Sequence, residues 1–533
     1  MRLSVFHDRT ELERSVWRLL MVALSAACVF PIFKVQYLPI QDLPQHLAAV
    51  RVLHDFSDPA LRFSEFFELQ LLRTQYLTVY MAAHVLAYAL PLELAMRVVI
   101  AAALLSVPWA LAALLRALGK DERFALLAFP LTYNAHVLLG FLNFIAAIGL
   151  MFYGLALAVQ IRERELAAVP SLRHSFSLGA VALACFYCHV VPFAILCFGV
   201  LLLCLERDLR VTARRLLPLA PCGLAALIWL QTSAAGQATL AAAQGVGPGK
   251  RIEQTPAARA WDELPMWLTD ILAREEDGTL LKVWLGLMAF SLFCSIFPLA
   301  RRDTGASVLA RVLARHMLML APLCAVLYFV TPTSYDWIWP IAQRFPLLAA
   351  LFLVLWIAPL KRWLSNAILI GAFLCSAASF HHAGSAFGMF SRLEVGDFEH
   401  ALRAIPEGQR VAGLIHGRGS RHVAFSPFIH FVAYYQAQKG GAVMFTFADF
   451  PQSPFRFRED NRPPRVPPRW EWTPERVRPA TDLAWYDYVL VRGNAGRLAR
   501  RDSGFVPVYR GAPWSVFKRA SEAGSWRETE PLR

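Results

Sequence analysis

Apolar residues come in long unbroken runs through the first 380 positions of this chain, and in short alternating stretches after them. A helix needs about 20 apolar residues to cross a bilayer. Runs that predict such helices lie near 16–34, 95–117, 123–138, 143–160, 175–190, 192–205, 215–231, 280–299, 309–330, 345–360 and 363–380. Pro192 divides one long run into the fifth and sixth of these. Gln75–Leu90 is apolar but short, with Tyr76, Tyr80, His84 and Tyr88 spread along it, and reads as interfacial or re-entrant. Between the first two runs, Leu47, Val50, Leu53 and Phe56 recur at helical spacing, and Leu61–Leu72 is similar. Both predict amphipathic helices lying on a membrane surface. Trp261–Leu272 predicts another, with Trp261 and Trp267 as interfacial anchors.

After Phe380 the period changes. Gly396–Ile405 predicts a short helix, and Arg410–His416 and Tyr488–Arg492 predict buried strands. Phe505–Tyr509 and Trp514–Arg519 predict a hairpin across Gly511. His422–Gln438 is helical or irregular, and Phe450–Arg478, rich in Pro and Arg, predicts a long loop. The expected fold is therefore mainly α: a polytopic transmembrane bundle of about eleven spans with a small extracytoplasmic C-terminal α/β domain. Its expected divisions are 1–380, including outer loops 35–94 and 232–279, then 381–520, then a disordered tail 521–533. The first half of loop 232–279 is low in complexity and is expected to be mobile.

Composition agrees with a membrane protein. Of 533 residues, 57% are hydrophobic and 17% charged, against about a quarter charged in soluble chains. The net charge of +14 first sets topology. With the N-terminus inside and 75–90 uncrossed, the clusters Arg116–Arg123, Arg162–Arg173, Arg207–Arg215, Arg301–Arg311 and Lys361–Arg362 all fall on one side. The opposite turns near 139–142, 191 and 331–343 are nearly free of basic residues. A crossing at 75–90 would invert that correlation. The chain thus reads as a multi-pass membrane protein with a cytoplasmic N-terminus and an extracytoplasmic C-terminal domain. The charged lead and apolar core Trp17–Phe33 precede no small-residue cleavage site and read as a retained signal anchor. All nine cysteines lie in apolar segments. Cys185 and Cys188 have redox-motif spacing without the surrounding fold, so a structural role is expected.

Polar residues in or beside spanning segments are costly, and therefore informative. Asn134, His136, Asn143, His189, Asp336 and Arg344 come from separate segments but share the outer rim with Asp42 and His46 of the stretch Tyr37–His46. An acid and a histidine four residues apart share a helical face. They suit acid–base or metal chemistry, or an N-cap acid beside an interfacial histidine. Arg344 suits a bidentate clamp on a lipid phosphate, or a headgroup-snorkelling arginine. The chain has no Walker A motif, no dinucleotide fingerprint and no zinc-protease motif. The basic loop Arg456–Arg478 faces outward, so no nucleic-acid partner is expected.

Asp42-Leu-Pro-Gln-His46 after the first span, the turn Gly140-Phe-Leu-Asn-Phe144, the His189…Pro192 break and Gln343-Arg-Phe345 together resemble bacterial members of the GT-C superfamily. These are membrane glycosyltransferases that use polyprenyl-phosphate sugars, and the likeness covers most of the chain. It implies inverting transfer from a polyprenyl-phosphate-linked sugar onto a lipid, glycan or protein acceptor at the outer leaflet. Asp42, with His46 beside it, would be catalytic, Asp42 as general base. Arg344 and His189 would hold the donor phosphate, with Asn143, His136 and Asp336 lining the cavity. Many members carry paired acids in the first loop, whereas Gln41 precedes a single Asp42 here, with Asp55 and Asp58 further on. A divalent cation (Mg or Mn) is thus left open. The competing readings are a transporter or flippase for lipid-linked saccharides, which would favour internal repeats that this sequence lacks, and an inactive scaffold on the same fold.

Overall fold

The computed structural model describes residues 11–243, 252–273, 276–296, 308–335, 338–464 and 466–520. Among the described residues, seven helices are long and apolar enough to cross a membrane: Ser15–Lys34, Leu92–Ala117, Leu142–Leu166, Leu209–Thr232, Glu276–Ile296, Val312–Val330 and Arg362–Glu394. Four shorter apolar helices accompany them, Thr78–Ala87, Leu172–Phe186, Val190–Cys204 and Ala342–Trp356. This is a multi-pass membrane protein. Thr78–Ala87 has ten residues, about 15 Å of helix against a hydrocarbon core of about 30 Å.

One expected span takes another form. The stretch 123–138 is a 3₁₀ segment, Glu122–Leu131, followed by the five-residue helix Ala135–Leu139, capped by the Asn134 side chain. Pro130 lies inside the 3₁₀ segment, and Phe124–Leu131 is buried throughout. Leu92–Ala117 and Arg362–Met389 enclose it, and Trp284 Nε1 donates to the Leu127 carbonyl at 2.8 Å. A strained ladder of this kind persists in an apolar layer only where protein surrounds it.

The arginine clusters and Asp42 sit at opposite ends of the bundle. At one end Lys120 Nζ donates to the Ile357 carbonyl at 3.2 Å, Arg123 to Asn366 at 3.2 Å and Arg162 to the Leu203 carbonyl at 3.1 Å. At the other, Arg97 caps the Val35 carbonyl at 2.7 Å and Gln41 N donates to the Leu138 carbonyl at 2.7 Å. The 25-residue helix Leu142–Leu166 connects the two ends over about 37 Å.

The first outer loop does not lie on a membrane surface as expected. Leu43–His54 is helical, but ten of its twelve residues are buried, because it packs against the helix Val432–Lys439. The tail covers the face that would have met headgroups. Leu61–Leu72 is not one helix but a single turn, Phe63–Phe66, then a strand, Phe67–Leu69, paired antiparallel with Phe455–Phe457. Trp267 is no interfacial anchor either: it is 2% exposed, inside the protein, while Trp261 is 61% exposed.

The tail carries a five-stranded mixed sheet in the order Ala442–Val443, Arg410–Ile415, Tyr488–Arg492, Trp514–Arg519 and Phe505–Arg510. The first three strands run parallel and the last two antiparallel to their neighbours. Alternation at period two gives it two apolar faces. Val411, Ile415, Leu490 and Val516 join the main core, whereas Ala412, Leu414, Val489, Val491 and Phe517 form a separate one with Leu483 and Tyr486. The last long helix does not stop at Phe380 but continues to Met389 and a π turn, Phe390–Glu394. Residues 521–533 lie outside the described residues, as does 244–251 within the stretch expected to be mobile. The described part of that stretch includes a helix, Ala234–Ala243.

Candidate active site

Asp42 occupies the N-cap position of Leu43–His54, yet its side chain makes no capping hydrogen bond. The carboxylate is directed elsewhere. Its Oδ1 lies 3.0 Å from His430 Nδ1, in the tail. Gly140 makes this placement possible. Its φ is +95°, and a Cβ there would stand 2.6 Å from Asp42 Cβ and 2.9 Å from Asp42 N. Only glycine meets both demands at low cost. His46 fastens the same turn: its Nε2 lies 2.6 Å from the Gly140 carbonyl and its Nδ1 2.8 Å from the Tyr80 hydroxyl. Burial pushes the His46 imidazole below its usual range, against the pull of nearby Asp42. The neutral ring therefore donates Nε2–H to the carbonyl and accepts the tyrosine proton at Nδ1. Both nitrogens are spent on protein partners. Gly140→Ala is expected to lower the melting temperature, because φ is positive, and to cut activity by about a hundredfold through displacement of Asp42. Melting curves and turnover rates read both effects, and wild-type values in each would show the close approach to be unimportant.

A cavity of about 190 Å³ opens beside Asp42, lined by His46, Tyr76, Asn143, His189 and Arg344 among others. Arg344 is 5% exposed and has no carboxylate partner among the described residues. Its guanidinium carbon lies 5.5 Å from the Phe141 ring centre and 5.8 Å from that of Phe144. His189 caps Val190–Cys204 by accepting Val191 N–H at Nδ1, at 3.1 Å. That bond leaves Nε2 as the donor, buried and without a partner. Asn143 Oδ1, Gln343 Oε1, Arg344 Nε and both His136 nitrogens are likewise buried and unsatisfied. Native interiors hold few such groups, and of these Asn143, His189 and Arg344 line the cavity. His136 stands behind the cavity wall, stacked on Trp267 at 5.6 Å and edge-on to Phe144 at 4.9 Å. Asp336 lies outside the described residues. Asn134, also on the expected rim, is used as a helix cap.

A second cavity, of about 810 Å³, adjoins the first and shares Asp42, Phe141, Trp339, Phe447 and Phe450 with it. Apart from Gln41, its remaining wall comes from the tail, including His430, Glu471, Trp472 and the prolines 463, 464 and 467. Asp42 stands where the two chambers meet. Sequence reasoning found Asp42, Asn143, His189 and Arg344 but missed Tyr76, Tyr80, His430, Phe447 and Glu471. A signal for His430 was present: it lies within Phe428-Ile-His-Phe-Val432, a polar group among apolar neighbours. Among the described residues the donor set does not fit a divalent cation. No group of three His, Cys, Asp or Glu among them could hold a metal, and Asp42 is the one carboxylate among the described residues lining the inner chamber.

No family model and no curated protein sequence matches this chain. Solved structures do. One is ArnT from Cupriavidus metallidurans bound to undecaprenyl phosphate, which superposes with a TM-score of 0.53 at 12% identity, over 96% of this chain and 100% of that one. Another is the arabinofuranosyltransferase AftD from Mycobacteria, with a TM-score of 0.51 at 15% identity, over 96% of this chain but 42% of that one. The chain has a GT-C-like fold. The expectation drawn from Asp42–His46 and the Gly140 turn is thus met at the level of architecture. In this frame the inner chamber lies at the end of the apolar helices opposite the arginine clusters, and the larger one beneath the tail.

Proposed function

We propose that this protein is a membrane glycosyltransferase that moves a sugar from a polyprenyl-phosphate donor to an acceptor hydroxyl on the outer face of the membrane. The observation that carries the reading is the buried Arg344, without a carboxylate partner among the described residues, lining one cavity with Asp42 and the unsatisfied Asn143 Oδ1 and His189 Nε2. A buried guanidinium without a counter-ion costs several kcal/mol, of the order of 3 or more, and a bound anion removes that cost. Arg344 offers a bidentate fork to two phosphate oxygens, and His189 Nε2–H offers a third donor. As the bond between the sugar and its phosphate breaks, these groups receive the negative charge left on the leaving phosphate. Asp42 takes the proton from the acceptor hydroxyl as its oxygen attacks the sugar carbon from the face opposite the phosphate. His46 holds the Gly140 turn that sets the Asp42 position, and Asn143 faces the sugar. The acceptor reaches Asp42 through the larger chamber under the tail. Placement of the arginine clusters at the opposite end of the bundle supports an extracytoplasmic site and a cytoplasmic N-terminus.

The test is transfer itself. Purified protein in detergent micelles, given radiolabelled polyprenyl-phosphate sugars and an envelope glycan fraction, is expected to form labelled product. No product in micelles, together with movement of the labelled lipid between leaflets in sealed vesicles, would replace this reading by the transporter.

A further inference from the structure

Asp42 makes an ion pair with the tail. His430 Nδ1 lies 3.0 Å from Asp42 Oδ1, and His430 Nε2 lies 3.4 Å from Glu471 Oε2. The three groups come from distant parts of the chain: the start of helix Leu43–His54, the segment before Val432–Lys439, and the 3₁₀ turn Pro468–Trp472. Their meeting is built by packing. Leu43–His54 lies along Val432–Lys439, and Gln45 bridges the tail by donating to the Phe445 carbonyl at 2.8 Å and accepting from Phe447 N at 3.2 Å. The His430 side chain is 12% exposed. Among the described residues, the further titratable group coupled to it besides the two carboxylates is His46, which is spent on Gly140 and Tyr80. Burial alone would strip the proton from His430, but Asp42 and Glu471 outweigh it and raise the imidazole from 6.5 to about 10.

We propose that His430, anchored by Glu471, is the positioning residue of this site: as an imidazolium it holds Asp42 Oδ1 and leaves Oδ2 free for the acceptor hydroxyl. The proposal rests on Asp42 as the base. In the transfer step the acceptor oxygen forms the new bond to the sugar carbon, and the bond to the donor phosphate breaks with its electron pair passing to the phosphate. The hydroxyl proton moves to Asp42 Oδ2 and from there to water in the larger chamber. His430 keeps its own two protons throughout, so it positions and does not relay. The tail is thereby part of the catalytic unit, because a base held on one oxygen by its own helix alone would rotate.

The sign of the pH dependence follows from the raised imidazole. The contribution of the clamp is complete below about pH 6.5 and disappears as pH rises through about 10. Wild-type kcat is expected to fall along that alkaline limb. His430→Asn keeps a donor near Nδ1 but cannot reach Glu471. It is expected to lower kcat about ten- to a hundredfold, leave the donor KM unchanged and lose the alkaline limb. His430→Phe should be lower still, and Glu471→Gln should move the limb to lower pH. Melting curves in detergent separate misfolding from mispositioning, and in an Asp42→Asn background His430→Asn should add no further loss. Wild-type kcat in His430→Asn, a change confined to KM, or an unaltered alkaline limb would overturn the proposal. If Asp42→Asn is inactive while His430→Asn is fully active, the positioning role alone fails. If Asp42→Asn is active, the base assignment itself fails.

Discussion

Replacing Asp42 by Asn is expected to lower glycosyl transfer by about 10²- to 10⁴-fold, the usual contribution of a general base. Asn preserves the volume of the side chain and an oxygen for His430, and Gly140 has no Cβ to collide with it. What it removes is a basic oxygen at the junction of the two chambers. The groups proposed to hold the donor phosphate are Arg344 and His189, so donor affinity should not change. Turnover with a radiolabelled polyprenyl-phosphate sugar, beside a binding measurement with undecaprenyl phosphate, reads both. Wild-type turnover would remove Asp42 as base, and a parallel loss of donor binding would make it a ligand contact instead.

Arg344→Met is expected to have opposite effects on binding and on stability. The ligand-free protein carries an enclosed guanidinium with no carboxylate partner among the described residues. Removing an uncompensated charge and keeping an apolar stem should hold or raise the melting temperature. The same change should weaken undecaprenyl phosphate by about 2–5 kcal/mol, the cost of truncating one side of a buried charge pair, or roughly thirty- to several-thousandfold in Kd. Arg344→Lys should fall between, because a point charge cannot make the forked contact. Thermal shift with and without undecaprenyl phosphate separates the two effects. A melting temperature lowered without ligand, with affinity unchanged, would mark Arg344 as a structural residue that merely packs between Phe141 and Phe144.

The two substitutions probe residues that the linear chain singled out, but for reasons of different kinds. Arg344 was visible because a guanidinium beside an apolar run is expensive, and that cost is local. Asp42 was ambiguous, since an acid before a helix is as good a cap as a base. The structure removes the capping reading: the side-chain capping bond is not made, and the carboxylate meets His430 instead. His46 moved the other way, from a catalytic partner of Asp42 to a group with both nitrogens occupied.

Partition between water and lipid is decided residue by residue over a window of one helix, so the apolar runs and the arginine distribution by themselves determined a polytopic bundle, its basic end and the strands of the tail. That same locality made 123–138 look like an α-helix. Whether a proline-containing apolar run adopts 3₁₀ geometry depends on what surrounds it, and only the packed bundle shows protein on every side. The covering of Leu43–His54 by the tail, and the meeting of Asp42, His430 and Glu471 across nearly the whole length of the chain, follow from contacts with no counterpart in neighbouring residues. The sequence alone therefore determined where the polar groups could stand relative to the membrane, and tertiary packing decided which of them face one another across a chamber and which are spent holding it open.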